Sequence, residues 1–319
     1  MLWPIVLFAV GLVLLIKGGD WFVDGATGLA HRFHLPELLI GATVVSIGTT
    51  LPEVMVSATS AVSGHGEIAY GNAVGSIICN TALIAALTMT IRPASVDPKS
   101  LRTPTFFFFG TAILYMIVAY AFGEFTRPIG IVLLLIFVVY MLLTTRQALK
   151  DKTPAPTEEA PLAPLWKDLL FLIVGAALIA VGARLLVDNG TKIAEALGVP
   201  ESVIALTFVA LGTSLPELVT AITALVKGHS ALSVGNIVGA NLFNLVLVSG
   251  VSVTLSPFAI PQGKLIGGVN ASLAVDLPLM MVVMALMTVP ALLRGKLSRV
   301  QGVVLLALYA GFCTFQFFL

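Results

Sequence analysis

Ten apolar stretches recur along the chain, at 2–22, 36–62, 68–90, 104–122, 128–147, 167–187, 200–226, 231–254, 268–291 and 299–318. Most are near the roughly 20 residues an α-helix needs to cross about 30 Å of hydrocarbon. A bilayer core has no water to satisfy backbone amides, so only helices or closed barrels span it. Barrel strands cover about 10 residues and alternate in polarity, whereas these runs are longer and uniformly apolar. The chain is therefore expected to be an all-α membrane protein with ten transmembrane helices. Composition agrees: 58% of its 319 residues are hydrophobic and 10% charged, against about 45–50% apolar in a soluble domain. The opening "MLWPIVLFAVGLVLLIKGG" lacks a basic leader and a small-residue cleavage site, and is read as the first span.

The charged residues that remain carry topological information. One set of alternate loops holds Lys17, Arg32, Arg92, Lys99, Arg102, Arg146, Lys150, Lys152, Lys167, Lys227, Arg294, Lys296 and Arg299; the other holds only Arg127, Arg184, Lys192 and Lys264. The positive-inside rule then places both termini on the non-cytoplasmic side of a multi-pass membrane protein, and the shortness of the segment at 151–164 suggests a prokaryotic plasma or inner membrane. A formal charge of +1 without a basic run gives no sign of a nucleic-acid partner. Cys79 and Cys313 fall inside apolar runs and are expected as buried thiols rather than a disulfide. The segment "DKTPAPTEEAPLAP" at 151–164, rich in Pro, Ala and charge, lies in a cytoplasmic linker of residues 151–166. That linker separates residues 1–150 from 167–319.

Sliding the second half over the first by 164 residues aligns 7–83 with 171–247 without a gap, and 28 of the 77 positions are identical. The densest matches are "GTTLPE" with "GTSLPE", and "GNAVGSIICN" with "GNIVGANLFN". Each half holds five spans. The second copy therefore enters the membrane from the opposite side, so the chain is two inverted five-helix repeats. Inverted halves can exchange conformations and open a shared midplane site to each side in turn, which suits a transporter.

The repeated segments are also where polar residues enter the spans. Pro52 cannot donate to the carbonyl of Gly48, so the helix carrying "SIGTTLPEVMVSA" is expected to kink or unwind at 46–52. Thr49, Glu53 and Ser57 share a face at spacings of four, with Thr50 beside them. Pro216 repeats the device after Gly212, with Thr213, Ser214 and Glu217. The next span of each half supplies Asn72, Ser76 and Asn80, or Asn236, Ala240 and Asn244. Gly71 and Gly75, like Gly235 and Gly239, form small-residue seams for close helix packing. A glutamate at the bilayer centre costs at least about 2.5 kcal/mol unless neutralised. No Lys or Arg lies in these four spans to do so. Oxygen-rich, thiolate-free surroundings with two carboxyls suit a hard cation, Ca2+ above all and also Na+, or a proton. Asp24, Asp188, Glu37 and Glu201 near span ends are expected to be caps, and His65 and His229 to be loop residues. Phe106 to Phe109 are expected to face lipid.

Paired "G-T-[TS]-L-P-E" and "G-N-x-V-G-[SA]-x-x-x-N" segments in inverted halves resemble the alpha repeats of the cation/calcium exchanger superfamily, the sodium/calcium exchangers and their prokaryotic relatives. The segments lie at 41–83 and 205–247. The resemblance implies that Glu53 and Glu217 bind Ca2+ and Na+ in turn, with oxygens from Thr49, Thr213, Thr50 and Ser214. It further implies backbone carbonyls from Ser46 and Ala210, and side chains from Ser76, Asn80 and Asn244. Many family members have aspartate at the position of Asn244, whose shape Asn keeps so that central Ca2+ binding can survive, and serine at that of Ala240, whose missing hydroxyl weakens one flanking Na+ position here. The expected function is Ca2+/Na+ antiport by alternating access, with Ca2+/H+ or K+-dependent antiport using the same glutamates as the alternative. A passive cation channel ranks below both. No H-E-x-x-H, G-x-S-x-G or Asp-rich motif marks an enzyme, and no cofactor is implied beyond the transported ions.

Overall fold

A computed structural model describes residues 2–150, 164–197, 212–262, 265–266 and 268–318. Ten helices run through them: α1 Leu2–Phe33, α2 Glu37–Val62, α3 Gly66–Ile91, α4 Pro98–Phe122, α5 Arg127–Lys150, α6 Leu165–Ala196, α7 Leu215–Val226, α8 Ser230–Leu255, α9 Ser272–Arg294 and α10 Arg299–Phe318. Eight are long and apolar enough to cross a membrane by length and composition, and α7 is a shorter apolar helix. Of the expected linker at 151–166, residues 151–163 lie outside the described residues, as does the whole 200–211 stretch with Ala210.

Two helices exceed expectation. At 32 residues each, α1 and α6 would extend about 48 Å. They continue past residues 22 and 187, through Gly25 and Gly28 in α1 and Asn189 and Gly190 in α6, where no proline interrupts the backbone hydrogen bonds. They pack antiparallel along glycines that the repeat had already aligned. A Cβ on Gly11 would lie 2.9 Å from the carbonyl oxygen of Gly182, and one on Gly182 2.8 Å from that of Gly11. Gly18 and Gly175 are paired the same way, each at 2.9 Å. Since Gly11 corresponds in sequence to Gly175 and Gly18 to Gly182, this crosswise contact is what a two-fold relation between inverted halves produces.

Helices α2, α3, α7 and α8 form the centre, and α8 is nearly wholly buried. α4, α5, α9 and α10 flank it. Phe106 is exposed but Phe108 is fully buried, so the phenylalanine run is only partly a lipid face: helical periodicity turns its members to different sides. Cys79 is buried and Cys313 half-buried, and both are free thiols.

The two ends of the bundle differ. Where α1 ends and α2 begins, a basic face carries Arg32, Arg92, Lys99, Lys227 and Lys296. Here Arg32 Nε and Nη2 each donate to Asp168 Oδ2 at 3.1 Å. Lys227 Nζ donates to Asp24 Oδ1 at 2.7 Å and to the Asp20 carbonyl at 3.0 Å. His229 Nδ1 lies 2.8 Å from Glu37 Oε1. Asp24, Glu37 and His229 thus tie helices together rather than cap or decorate them. Asp188 pairs within α6, 3.6 Å from Arg184, and Glu201 lies outside the described residues. On the opposite face two short strands, β1 Glu124–Phe125 and β2 Phe258–Ala259, pair antiparallel. Every ion pair joining different helices among the described residues lies on the basic face.

Candidate cation site between the repeats

Helix α2 does not unwind where Pro52 led us to expect. It stays α-helical through Ser46–Val62, and the irregular stretch is a π-helical turn just upstream, Gly41–Val45. The loosened backbone there is held by hydroxyls: Ser46 Oγ donates to the Gly41 carbonyl at 2.7 Å and Tyr140 Oη to that of Ala42 at 2.9 Å. In the second half Pro216 instead stands in the first turn of α7, where no N–H is needed. A turn at Thr213 and Ser214 precedes it.

The two motif helices α3 and α8 each pass into a π-helical segment at an asparagine, Asn80–Ala85 and Asn244–Val248. Such turns recur at functional sites. They pack crosswise, the one after Asn80 against α7 and the one after Asn244 against α2. Each therefore meets the glutamate helix of the other half.

A pair of matched hydrogen bonds stitches the repeats together. Thr49 Oγ1 donates to Asn236 Oδ1 at 3.2 Å, and Thr213 Oγ1 to Asn72 Oδ1, also at 3.2 Å. Each threonine thereby meets the asparagine of the opposite repeat. Asn72 Nδ2 goes on to Ser57 Oγ at 2.8 Å and the Glu53 carbonyl at 3.3 Å. Its counterpart Asn236 Nδ2 has no partner among the described residues, and Ala221 stands where the first half has Ser57. Burial differs as well: Asn236 is 0% and Thr49 2% exposed, whereas Asn72 and Thr213 are only half-buried.

Between these stitches the carboxyls of Glu53 and Glu217 face each other, with the Thr49 hydroxyl beside Glu217. Both glutamates are fully buried, and none of their four carboxyl oxygens has a hydrogen-bond partner among the described residues. The same holds for the side-chain amides of Asn80 and Asn244 and the hydroxyls of Thr50 and Ser214. Buried polar groups are ordinarily satisfied, each orphan costing about 1–3 kcal/mol and a charged one more. Among the described residues no Lys, Arg or His is buried, and the only other buried acid, Asp168, is paired with Arg32. A cluster of bare oxygens without a protein cation suits a desolvated metal ion or protons.

Of the residues singled out from sequence, Ser46, Thr49, Thr50, Glu53, Ser76, Asn80, Ser214, Glu217 and Asn244 are buried in the four central helices. Thr213 joins them through Asn72. The Ser46 carbonyl accepts from Thr49 Oγ1 at 3.5 Å, and its hydroxyl also reaches the Asn236 carbonyl at 3.0 Å. Ala210 lies outside the described residues. Sequence reasoning missed a second buried polar knot, in which Asn241 Nδ2 donates to Thr81 Oγ1 at 2.7 Å and to Met284 Sδ at 3.1 Å. Neither Asn241 nor Thr81 is repeated in the other half, so the internal alignment gave no signal for it.

Comparison with known proteins adds four findings. The sodium/calcium exchanger protein family matches residues 3–146 and 167–318. Inner membrane protein YrbG of Escherichia coli is 40% identical over 266 residues, covering 81% of each chain. Sodium/calcium exchanger MaX1 of Methanosarcina acetivorans is 27% identical over 348 aligned positions, covering 97% of each. A solved structure of the sodium-calcium exchanger NCX_Mj soaked with Na+ and Ca2+ superposes with a TM-score of 0.81 at 31% identity, covering 97% of both chains.

Proposed function

This chain belongs to the sodium/calcium exchanger protein family, and from that premise we propose that it exchanges Ca2+ for Na+ at the Glu53/Glu217 pair. Membership makes it a membrane-borne cation/calcium exchanger; the coupling ion, the ligating residues and the sidedness are our reading. One observation carries it. Four carboxyl oxygens, two asparagine side-chain amides and two hydroxyls from both repeats are buried, and none has a hydrogen-bond partner among the described residues.

Two carboxylates balance one Ca2+, while the amide oxygens of Asn80 and Asn244 and the hydroxyls of Thr50 and Ser214 replace water in the shell of the ion. When Ca2+ leaves, the same oxygens take Na+. An empty, doubly charged site in low dielectric is costly, so the carrier changes sides chiefly when loaded, which couples the two fluxes. The inverted halves supply the two access states. The concentration of Lys and Arg on the basic face makes that face cytoplasmic, with both termini outside.

A second reading has a specific observation behind it. Ala240 stands where the first half has Ser76, so the second half offers one hydroxyl fewer for Na+. Two protons on the glutamates would also balance one Ca2+. Uptake of radioactive Ca2+ into sealed vesicles, driven separately by outward Na+, K+ and H+ gradients, tests both readings. A Na+ gradient should accelerate uptake and the others should not. Acceleration by H+ alone would favour the proton-coupled form, and uptake indifferent to all three would overturn antiport.

A further inference from the structure

The amide of Asn241 on α8 sits where three helices meet. Its Nδ2 donates to Thr81 Oγ1 on α3 at 2.7 Å and to Met284 Sδ on α9 at 3.1 Å, so both amide protons are taken and the side chain has one orientation. Thr81 Oγ1 in turn donates to the Ile77 carbonyl at 2.8 Å, in the last regular turn of α3 before its π-helical segment. Asn241, Thr81 and Met284 are each 0% exposed.

Two facts connect this knot to the central site. The first is its place. Thr81 follows Asn80 directly, inside the π-helical segment Asn80–Ala85, and Asn241 lies one turn before Asn244, where the π-helical segment of α8 begins. The Asn241–Thr81 bond therefore clamps the two motif helices together at the level of their asparagines. The second is that packing alone does not call for it. The repeat counterparts of Asn241 and Thr81 are Ile77 and Leu245, and both are also fully buried. Apolar residues thus serve at the equivalent positions of the other half, whereas the amide leaves its own Oδ1 without a partner among the described residues. Burying an amide on such terms costs stability that an apolar pair would not.

We propose that Asn241 is a positioning residue: through Thr81 it fixes the separation of the Asn80 and Asn244 amides, and with it the preference of the central site for Ca2+ over a larger divalent cation. Its amide protons are spent on Thr81 and Met284, so it acts through the two asparagines. Ca2+ takes oxygens at about 2.3–2.6 Å, and a shell free to spread accepts the larger Sr2+ as well. Selection by size needs ligands that are held in place, which is what the outer partners of metal ligands supply. The inference rests on the exchange reading, in which Glu53 and Glu217 hold a divalent ion.

Dissociation constants for Ca2+ and Sr2+, measured by equilibrium dialysis on the purified full chain in detergent, test it. N241L is nearly isosteric and removes the bond. It should weaken Ca2+ about tenfold, the scale on which outer partners of metal ligands act, and Sr2+ less than twofold, so the preference for Ca2+ falls at least fivefold. T81V removes the same bond from the other side and should shift the ratio equally, while T81S keeps the hydroxyl and should keep the wild-type preference. An unmoved Ca2+/Sr2+ ratio in N241L and T81V would overturn the proposal, even with a lower thermal midpoint, because a merely structural bond lowers stability without sorting ions by size. If N241L fails to fold, the double variant N241I/T81L, which copies the residues of the other repeat, replaces it; the same shift is expected and an unmoved ratio is equally fatal. A wild-type chain that binds neither ion would overturn the exchange reading and this inference with it, whereas wild-type binding with an unmoved ratio in the variants would overturn this inference alone.

Discussion

Helices α3 and α8 descend from the same sequence segment and sit in opposite surroundings. On α8 the glycine seam is filled: a Cβ on Gly235 would fall 2.1 Å from the Leu38 carbonyl oxygen, and one on Gly239 2.3 Å from Ser46 Oγ and 2.6 Å from Ala42 Cα. On α3 the matching Gly71 and Gly75 have nothing within 4 Å among the described residues, outside which lie residues 202, 206 and 210, the counterparts of Leu38, Ala42 and Ser46. The threonine–asparagine stitches follow suit, sealed at Thr49–Asn236 and half-open at Thr213–Asn72. One motif, placed twice with opposite polarity, is thus tightly packed on α8 and, against the described residues, less covered on α3. The lesson is that sequence symmetry fixes what the two halves can do, while the conformation decides how closely each is packed.

The strongest way to break this comparison is at the centre, where the halves should count equally. Replacing either Glu53 or Glu217 with glutamine removes one of two charges and leaves the shape intact. Losing a charged contact of about 2.7 kcal/mol corresponds to a drop on the order of 100-fold. Vesicle flux in E53Q and in E217Q should fall by at least that much, with unchanged elution in detergent. Near-normal flux in one variant alone would mean that the repeats are not equivalent at the ion and that the carboxyl concerned is structural.

The seams themselves come next. Adding a methyl to α8, in G235A or G239A, forces backbone apart, and overpacking of this kind costs about 1–3 kcal/mol. The thermal midpoint in detergent should drop by several degrees, at about 2–4 °C per kcal/mol. G71A and G75A should leave it within about 1 °C, since helix propensity favours alanine there. Equal losses on both helices would show that the α3 seam is as tightly packed as that of α8.

Much of this difference could be anticipated and some could not. The 164-residue offset, the prolines and the glycine spacing identify the four central helices, because inversion follows from an odd number of spans and the polar faces follow from helical periodicity. The irregular backbone lies elsewhere than proline chemistry points: 46–52 stays α-helical, the π turn is at Gly41–Val45, and nothing in "GATVV" announces it. The roles of Asp24, Glu37 and His229 were missed because their partners are remote in sequence. Asn72 and Asn236 were legible as repeated amides, yet their crosswise bonds need the fold. No linear pattern shows which of two matching seams is the more closely covered.

The smallest effect sharpens the comparison at the basic face. Lys227 ties the end of α7 to Asp20 and Asp24 of α1, whereas its counterpart in the first half is Ser63, which can form no such ion pair. The basic face therefore carries a tie that the opposite face lacks by sequence, not merely by conformation. Lys227 is partly exposed, and such pairs contribute at most about 1 kcal/mol, so removing it should shift the equilibrium no more than about fivefold. In a background with Cys79 and Cys313 replaced by alanine, a cysteine at the buried position Ala224 reports opening of this face. K227Q should raise its rate of modification from the basic side two- to fivefold, and S63K should slow modification of a cysteine at Ser60 from the other side. A modification rate at Ala224 unmoved by K227Q would show that packing of the α8 seam alone holds this face shut.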